Sequence, residues 1–136
     1  MKKVFSLFVL SLFIFSGCDY WGFYTFIVKN STQETITLKF LNNPSYDKHD
    51  ENNEEVILLP NEEKIVRIVD APLNSPAHDC LTEHGIGFFN ELVFDTYVNG
   101  EKLEKQLWQA ENWTYKKKSK YSAEYNMTIT NELIEE

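Results

Sequence analysis

The sequence predicts an all-β domain: a seven- to eight-stranded antiparallel β-sandwich with one short helical insertion. Three observations carry that expectation. Tyr121 to Thr130, YSAEYNMTIT, alternates without a break between apolar and polar residues, the period of a strand with one buried and one wet face. Asn99-Gly100 separates two strand-like runs, and Asn-Gly is the preferred pair of a two-residue type I′ hairpin, where both residues need positive φ. Short apolar runs are separated by turn residues along the rest of the chain, the pattern of a sandwich of immunoglobulin-like or transthyretin-like kind.

In chain order, Phe23 to Lys29 reads as a strand, Asn30-Ser31-Thr32-Gln33 as its turn, and Thr35 to Phe40 as a second strand with Ile36, Leu38 and Phe40 inward. Val56 to Leu59 is a short strand broken by Pro60-Asn61, and Lys64 to Val69 resumes. Leu92 to Val98 and Glu101 to Leu107 flank the Asn-Gly pair, with Ile86 to Phe89 as an optional extra strand. In the last strand Tyr121, Ala123, Tyr125, Met127 and Ile129 point inward.

SPAHDCLTEHG reads as the helical insertion. Ser75 suits an N-cap, Pro76 the first helical position, and Gly85 the end. Gln106 to Trp113 is ambiguous between strand end and short helix.

The first residues carry a different signal. Lys2 and Lys3 precede an apolar core from Val4 to Phe15, too short to span about 30 Å of hydrocarbon as a helix. A basic start, a short apolar core and the small residues Ser16 and Gly17 describe a secretory signal peptide over residues 1–17. Cys18 follows at once. This resembles the lipobox of bacterial lipoproteins, although Phe15 stands where that family prefers Leu, Val or Ile. The resemblance implies that Cys18 is acylated, palmitate among its chains, and becomes the mature N-terminus. Acyl chains anchor a protein at about 0.8 kcal/mol per buried CH₂. Residues 18–22 are then the anchor and linker, and residues 23–136 the β-sandwich domain.

Removing the leader takes 17 of 136 residues and two lysines, leaving 119 residues and moving the formal charge from −8 to −10. That length makes one domain, able to bury about two-thirds of its unfolded surface without a metal or disulfide staple. So acidic a chain is not expected to bind nucleic acid, which needs a basic face. With Cys18 blocked by lipid, Cys80 is the one remaining thiol and has no disulfide partner. Sequons at Asn30, Asn112 and Asn126 read as accidents of a strand-rich chain.

The leader with Cys18, the FIVKNST…TITLKF hairpin, LVFD at Leu92 to Asp95 and YNMTIT near the end together resemble small Bacteroidetes lipoproteins of no assigned activity. That resemblance implies a β-sandwich on a lipid anchor, and only the lipidation of Cys18 carries over.

Candidate chemistry gathers in one place. His78, Cys80 and His84, with Asp79 and Glu83 between them, offer imidazole and thiolate to a transition metal, or a thiol–imidazole pair to catalysis. On a helix Cys80 and His84 share a face. The plainer reading, and the preferred one, is a polar loop with a half-buried cysteine. Asp47, Asp50, Glu51, Glu54 and Glu55 crowd the loop from Tyr46 to Glu55, where clustered carboxylates suit calcium, but no glycine serves the sharp turn of an EF-hand. Lys116, Lys117, Lys118 and Lys120 form a basic run, either a solubilising loop or a contact for anionic headgroups. Trp108 and Trp113 are candidates for a sugar-stacking platform, against a place in the core. Tyr20 and Trp21 follow the anchor, where aromatic rings favour the membrane interface, with packing of Trp21 onto the sandwich as the equal alternative.

No catalytic constellation is legible, and no cofactor is implied. The expected function is therefore that of a non-enzymatic binding or structural lipoprotein of the cell envelope. It is anchored by Cys18 with an envelope protein or glycan as partner. A metal- or thiol-dependent protein using His78, Cys80 and His84 is the alternative. Asp19 alone follows Cys18 as an acid, without the acidic cluster that resembles a surface-export signal, so the outer membrane facing the periplasm is the expected location.

Overall fold

In the computed structural model, residues 20–41, 55–73 and 76–135 are described. Eight strands form two four-stranded sheets. They are β1 (Tyr20–Asn30), β2 (Ile36–Phe40), β3 (Glu55–Leu58), β4 (Glu63–Leu73), β5 (Phe94–Val98), β6 (Glu101–Lys102), β7 (Thr114–Lys117) and β8 (Ser122–Ile129). One sheet runs β4-β1-β8-β7 and the other β3-β2-β5-β6. Short helices α1 (Cys80–His84) and α2 (Asn131–Ile134), and 3₁₀ turns at Ile86–Leu92 and Ala110–Asn112, complete the described chain. The expected sandwich with a short helical insertion is what the chain forms.

Alternation places the core. Tyr24, Phe26 and Val28 of β1 and Ala123, Tyr125, Met127 and Ile129 of β8 are buried, facing Ile36, Leu38 and Phe40 of β2, Leu58 of β3 and Phe94 of β5. Phe26 is the hub. It stacks on Tyr125 with ring centroids 5.0 Å apart, and takes Phe89 and Trp113 edge-on at 5.1 and 5.5 Å. Offset-stacked and edge-on pairs suit the ring quadrupoles, adding about 0.5–1.5 kcal/mol each beyond burial.

Several expectations need correction. Every strand pair is antiparallel except β1 with β8, which run parallel, Phe23 against Ser122 through Asn30 against Ile129. β1 begins at Tyr20, ahead of the expected Phe23. Ile86 to Phe89 lies in a 3₁₀ turn, not a strand. The strand after Gly100 covers only Glu101–Lys102, short of the expected run to Leu107, and one further ladder bond follows, from the Leu103 amide to the Thr96 carbonyl at 2.9 Å. Lys116 and Lys117, expected in a loop, belong to β7. Tyr121 is 43% exposed and not inward, since β8 starts only at Ser122.

One irregularity changes which side chains face inward. Arg67 pairs with Phe26 and Ile65 with Ile27, so Val66 is an extra residue on β4. A bulge of this kind breaks the alternation. Val66 and Arg67 both turn inward, and Arg67 is only 2% exposed, its guanidinium 3.8 Å over the Phe40 ring.

At the far end of β1 the fold closes on a buried amide. Asn30 donates through Nδ2 to the carbonyls of Glu34, Leu58 and Leu59 at 2.8, 3.1 and 3.1 Å. Its Oδ1 accepts from the Thr32 amide and hydroxyl at 3.0 and 2.8 Å. One side chain thereby ties the β1–β2 turn to the end of β3. The Asn99-Gly100 hairpin stands beside it with φ of 50° and 88°, as type I′ requires.

Candidate functional site

The residues singled out around Cys80 come together at the opposite end of β1. Ala77 is hung from the β7–β8 turn by its amide, which donates to the Lys120 carbonyl at 2.8 Å. The helix that follows is one turn long and starts later than expected. Asp79, not Ser75, caps it: Oδ1 accepts from the Thr82 amide at 3.1 Å and Oδ2 from the Thr82 hydroxyl at 2.7 Å. Ser75 lies outside the described residues. Gly85 ends the helix at φ 69°, its amide donating to the Leu81 carbonyl.

Two tyrosines from the strands fix this helix to the core. The Tyr125 hydroxyl accepts from the Leu81 amide at 3.1 Å and donates to Asp79 Oδ1 at 3.0 Å. The Tyr24 hydroxyl lies 3.1 Å from Cys80 Sγ. Burial holds both phenols above the ordinary tyrosine range. None of these contacts follows from sequence spacing, because Tyr24 and Tyr125 stand far from the helix in the chain.

Cys80 is fully buried, more so than the half-buried cysteine expected. Burial pushes its thiol up, the nearby charges of Glu83 and Asp79 add to this, and only its hydrogen bonds oppose it. A reactive cysteine needs the reverse, an exposed and electropositive setting that favours thiolate. Its imidazole neighbour is also different from the one the helical spacing suggested. His78 Nε2 is 3.5 Å from Sγ, while His84 sits on the exposed side of the helix.

Outside the thiol, three side chains converge. Glu83 Oε2 lies 3.4 Å from His78 Nε2 and 3.8 Å from His84 Nε2. All three donor atoms fall within 4.8 Å of one another. The side chains are 28%, 55% and 53% exposed for His78, Glu83 and His84, so the cluster opens to solvent. His78 Nδ1 lies 3.0 Å from the Pro76 carbonyl. A carbonyl only accepts, so this contact suits a protonated Nδ1, with Nε2 turned toward Glu83.

The other candidates separate. Trp113 packs in the core against Phe26, its indole Nε1 donating to the Trp108 carbonyl at 3.2 Å, so the two indoles do not form a shared open platform. Of the acidic loop only Glu55 is among the described residues, where it pairs with Lys39 at 3.4 Å. Cys18 lies outside them. Lys118 pairs with Glu124 at 3.0 Å, and Lys120 lies 5.1 Å from the Tyr121 ring. Arg67, unremarked in the sequence, is the one charged side chain buried among the described residues. Burial lowers its pKa against the opposing pull of the Glu91 carboxylate.

Compared with known proteins, the chain matches no family model, no curated protein and no solved structure.

Proposed function

We propose that this chain is a lipid-anchored protein of the bacterial cell envelope. Residues 1–17 direct export, acylated Cys18 holds the membrane, and the β-sandwich acts as a non-enzymatic binding or structural domain facing the periplasm. The observation that carries this reading is what gathers beside the start of β1. Tyr20, its first residue, is two positions after Cys18, a reach of at most about 7 Å. The Phe23 amide donates to the Tyr121 carbonyl at 2.8 Å. The β7–β8 turn, with Lys118 and Lys120, therefore lies at the tether end. Trp21, Phe23 and Tyr121 are exposed there, and Lys117 ends the adjoining β7.

Aromatic rings beside lysines suit the headgroup level of a bilayer, and each well-placed lysine contributes about 1 kcal/mol against an anionic surface. Among the described residues no helix is long and apolar enough to cross a membrane. The acyl chains on Cys18 would supply the anchorage.

The test is metabolic labelling with a fatty-acid analogue, comparing the wild type with Cys18→Ala, alongside protease shaving of intact cells. Label present in the wild type and lost in the variant is expected. Label retained in Cys18→Ala overturns the anchor. Protein that resists shaving until the outer membrane is opened supports the periplasmic face, and removal from intact cells overturns that orientation.

A further inference from the structure

We propose that His78, Glu83 and His84 form a binding site for a divalent transition-metal ion, Zn²⁺ foremost, with Cys80 outside the ligand set. The inference stands apart from the membrane reading and rests on the geometry beside α1. Two imidazoles and a carboxylate are a donor set suited to zinc and its neighbours in the first transition row. Ligands bonded at about 2.0–2.2 Å around a tetrahedral ion stand roughly 3.3–3.6 Å apart. The separations of 3.4 and 3.8 Å from Glu83 Oε2 to the two imidazoles already approach that spacing. Small rotations of the exposed Glu83 and His84 side chains suffice to close the set.

The support around these ligands matches what a metal site needs. His78 uses Nδ1 on the Pro76 carbonyl, the outer contact that fixes tautomer and ring orientation in metal-bound histidines. Glu83 and His84 ride on a helix held by the Asp79 cap, the Gly85 terminus and the Tyr125 hydroxyl. With both imidazoles neutral the ligand set carries one negative charge, and Asp79 adds a second nearby. Cys80 approaches the same His78 nitrogen from the core side, but it is fully buried and its sulfur is outside the set of donor atoms that lie within 4.8 Å of one another. Because the site is open, water completes the coordination.

The test is titration of the purified full-length protein with Co²⁺, read by its visible absorption, followed by displacement with Zn²⁺. Saturable one-to-one binding is expected. His78→Ala, His84→Ala and Glu83→Gln should each weaken it at least tenfold, with melting temperatures close to wild type. Cys80→Ser should leave the spectrum and the affinity unchanged. So should His49→Ala, which removes the only histidine outside the cluster. Absence of saturable binding overturns the proposal, as does binding that survives the loss of both His78 and His84. Loss that follows His49 moves the site elsewhere and overturns it too. A sulfur-to-cobalt charge-transfer band that vanishes in Cys80→Ser refutes the three-ligand set.

Discussion

Replacing Asn30 by alanine should destabilise the domain far more than a turn substitution ordinarily does. Asn30 is fully buried and holds five hydrogen-bond contacts, two accepted from Thr32 and three donated to carbonyls of Glu34, Leu58 and Leu59. Its two amide hydrogens serve three oxygens, so one contact is shared. A hydrogen bond contributes about 1 kcal/mol net, and a buried group left unmet costs about 1–3 kcal/mol. The Thr32 amide and the Leu58 carbonyl are the groups most exposed to that cost, because both bonds are buried. A loss of about 3–5 kcal/mol results from these contributions. At about 4 °C per kcal/mol for a domain of this size, the melting temperature should fall by about 12–20 °C.

Asn30→Asp separates the clamp from the turn. Aspartate is as good a turn residue, and it keeps the acceptor for Thr32. It would set a second carboxylate oxygen against the three carbonyls. At neutral pH it should therefore melt no higher than Asn30→Ala. Circular dichroism melts of the three proteins decide the matter. An alanine variant within about 3 °C of wild type, less than one hydrogen bond is worth, would refute the clamp. An aspartate variant matching wild type would show that the donated bonds carry nothing.

Tyr125→Phe keeps the ring on Phe26 but leaves the Leu81 amide without its hydroxyl acceptor, and should cost about 1–3 kcal/mol and speed exchange of that amide by NMR; unchanged exchange would count against the anchor. Burial raises Cys80, Tyr24 and Tyr125, so the folded state keeps these protons after the unfolded chain has released them. Stability should be full below the unfolded values of about 8.5 for Cys and 10 for Tyr and fall as pH rises beyond them. Melts from pH 7 to 11 test this, and Cys80→Ala should delay the first decline; a flat profile contradicts it. Gly100→Ala adds a Cβ that meets nothing within 4 Å at φ +88°. Its cost should be backbone strain alone, about 1 kcal/mol, and a melt lowered by more than about 8 °C would mean otherwise.

How much of this was legible depended on how local its cause was. Asn99-Gly100 was readable because its own backbone preferences make the turn. The faces of β8 from Ala123 to Ile129 were readable because alternation persists while one sheet face is buried. The bulge at Val66 was not, since only the register against β1 reveals which residue is extra, and with it went the burial of Arg67. β7 stayed hidden because Thr114–Lys117 offers a single apolar side chain, Tyr115. The parallel partnership of β1 and β8 has no local signature. At the candidate site, His78, Cys80, Glu83 and His84 were legible as neighbours in the chain. The sorting of thiol inward and His–Glu–His outward depends on Tyr24 and Tyr125, which arrive from distant strands.

The pairing of the first strand with the last also sets the order in which the molecule can be completed. Phe23 meets Ser122, and Asn30 meets Ile129, so β1 has one bare edge until almost the whole chain is present. Contacts so distant in sequence are entropically expensive to close and slow folding. Until β8 is present, the β4-β1-β8-β7 sheet lacks the strand that joins β1 to β7. Truncation before β8 would strip β1 of a flank along most of its length and leave an unpaired edge, an invitation to aggregation. The sheet that β1 begins is thus closed only by the last of the eight described strands.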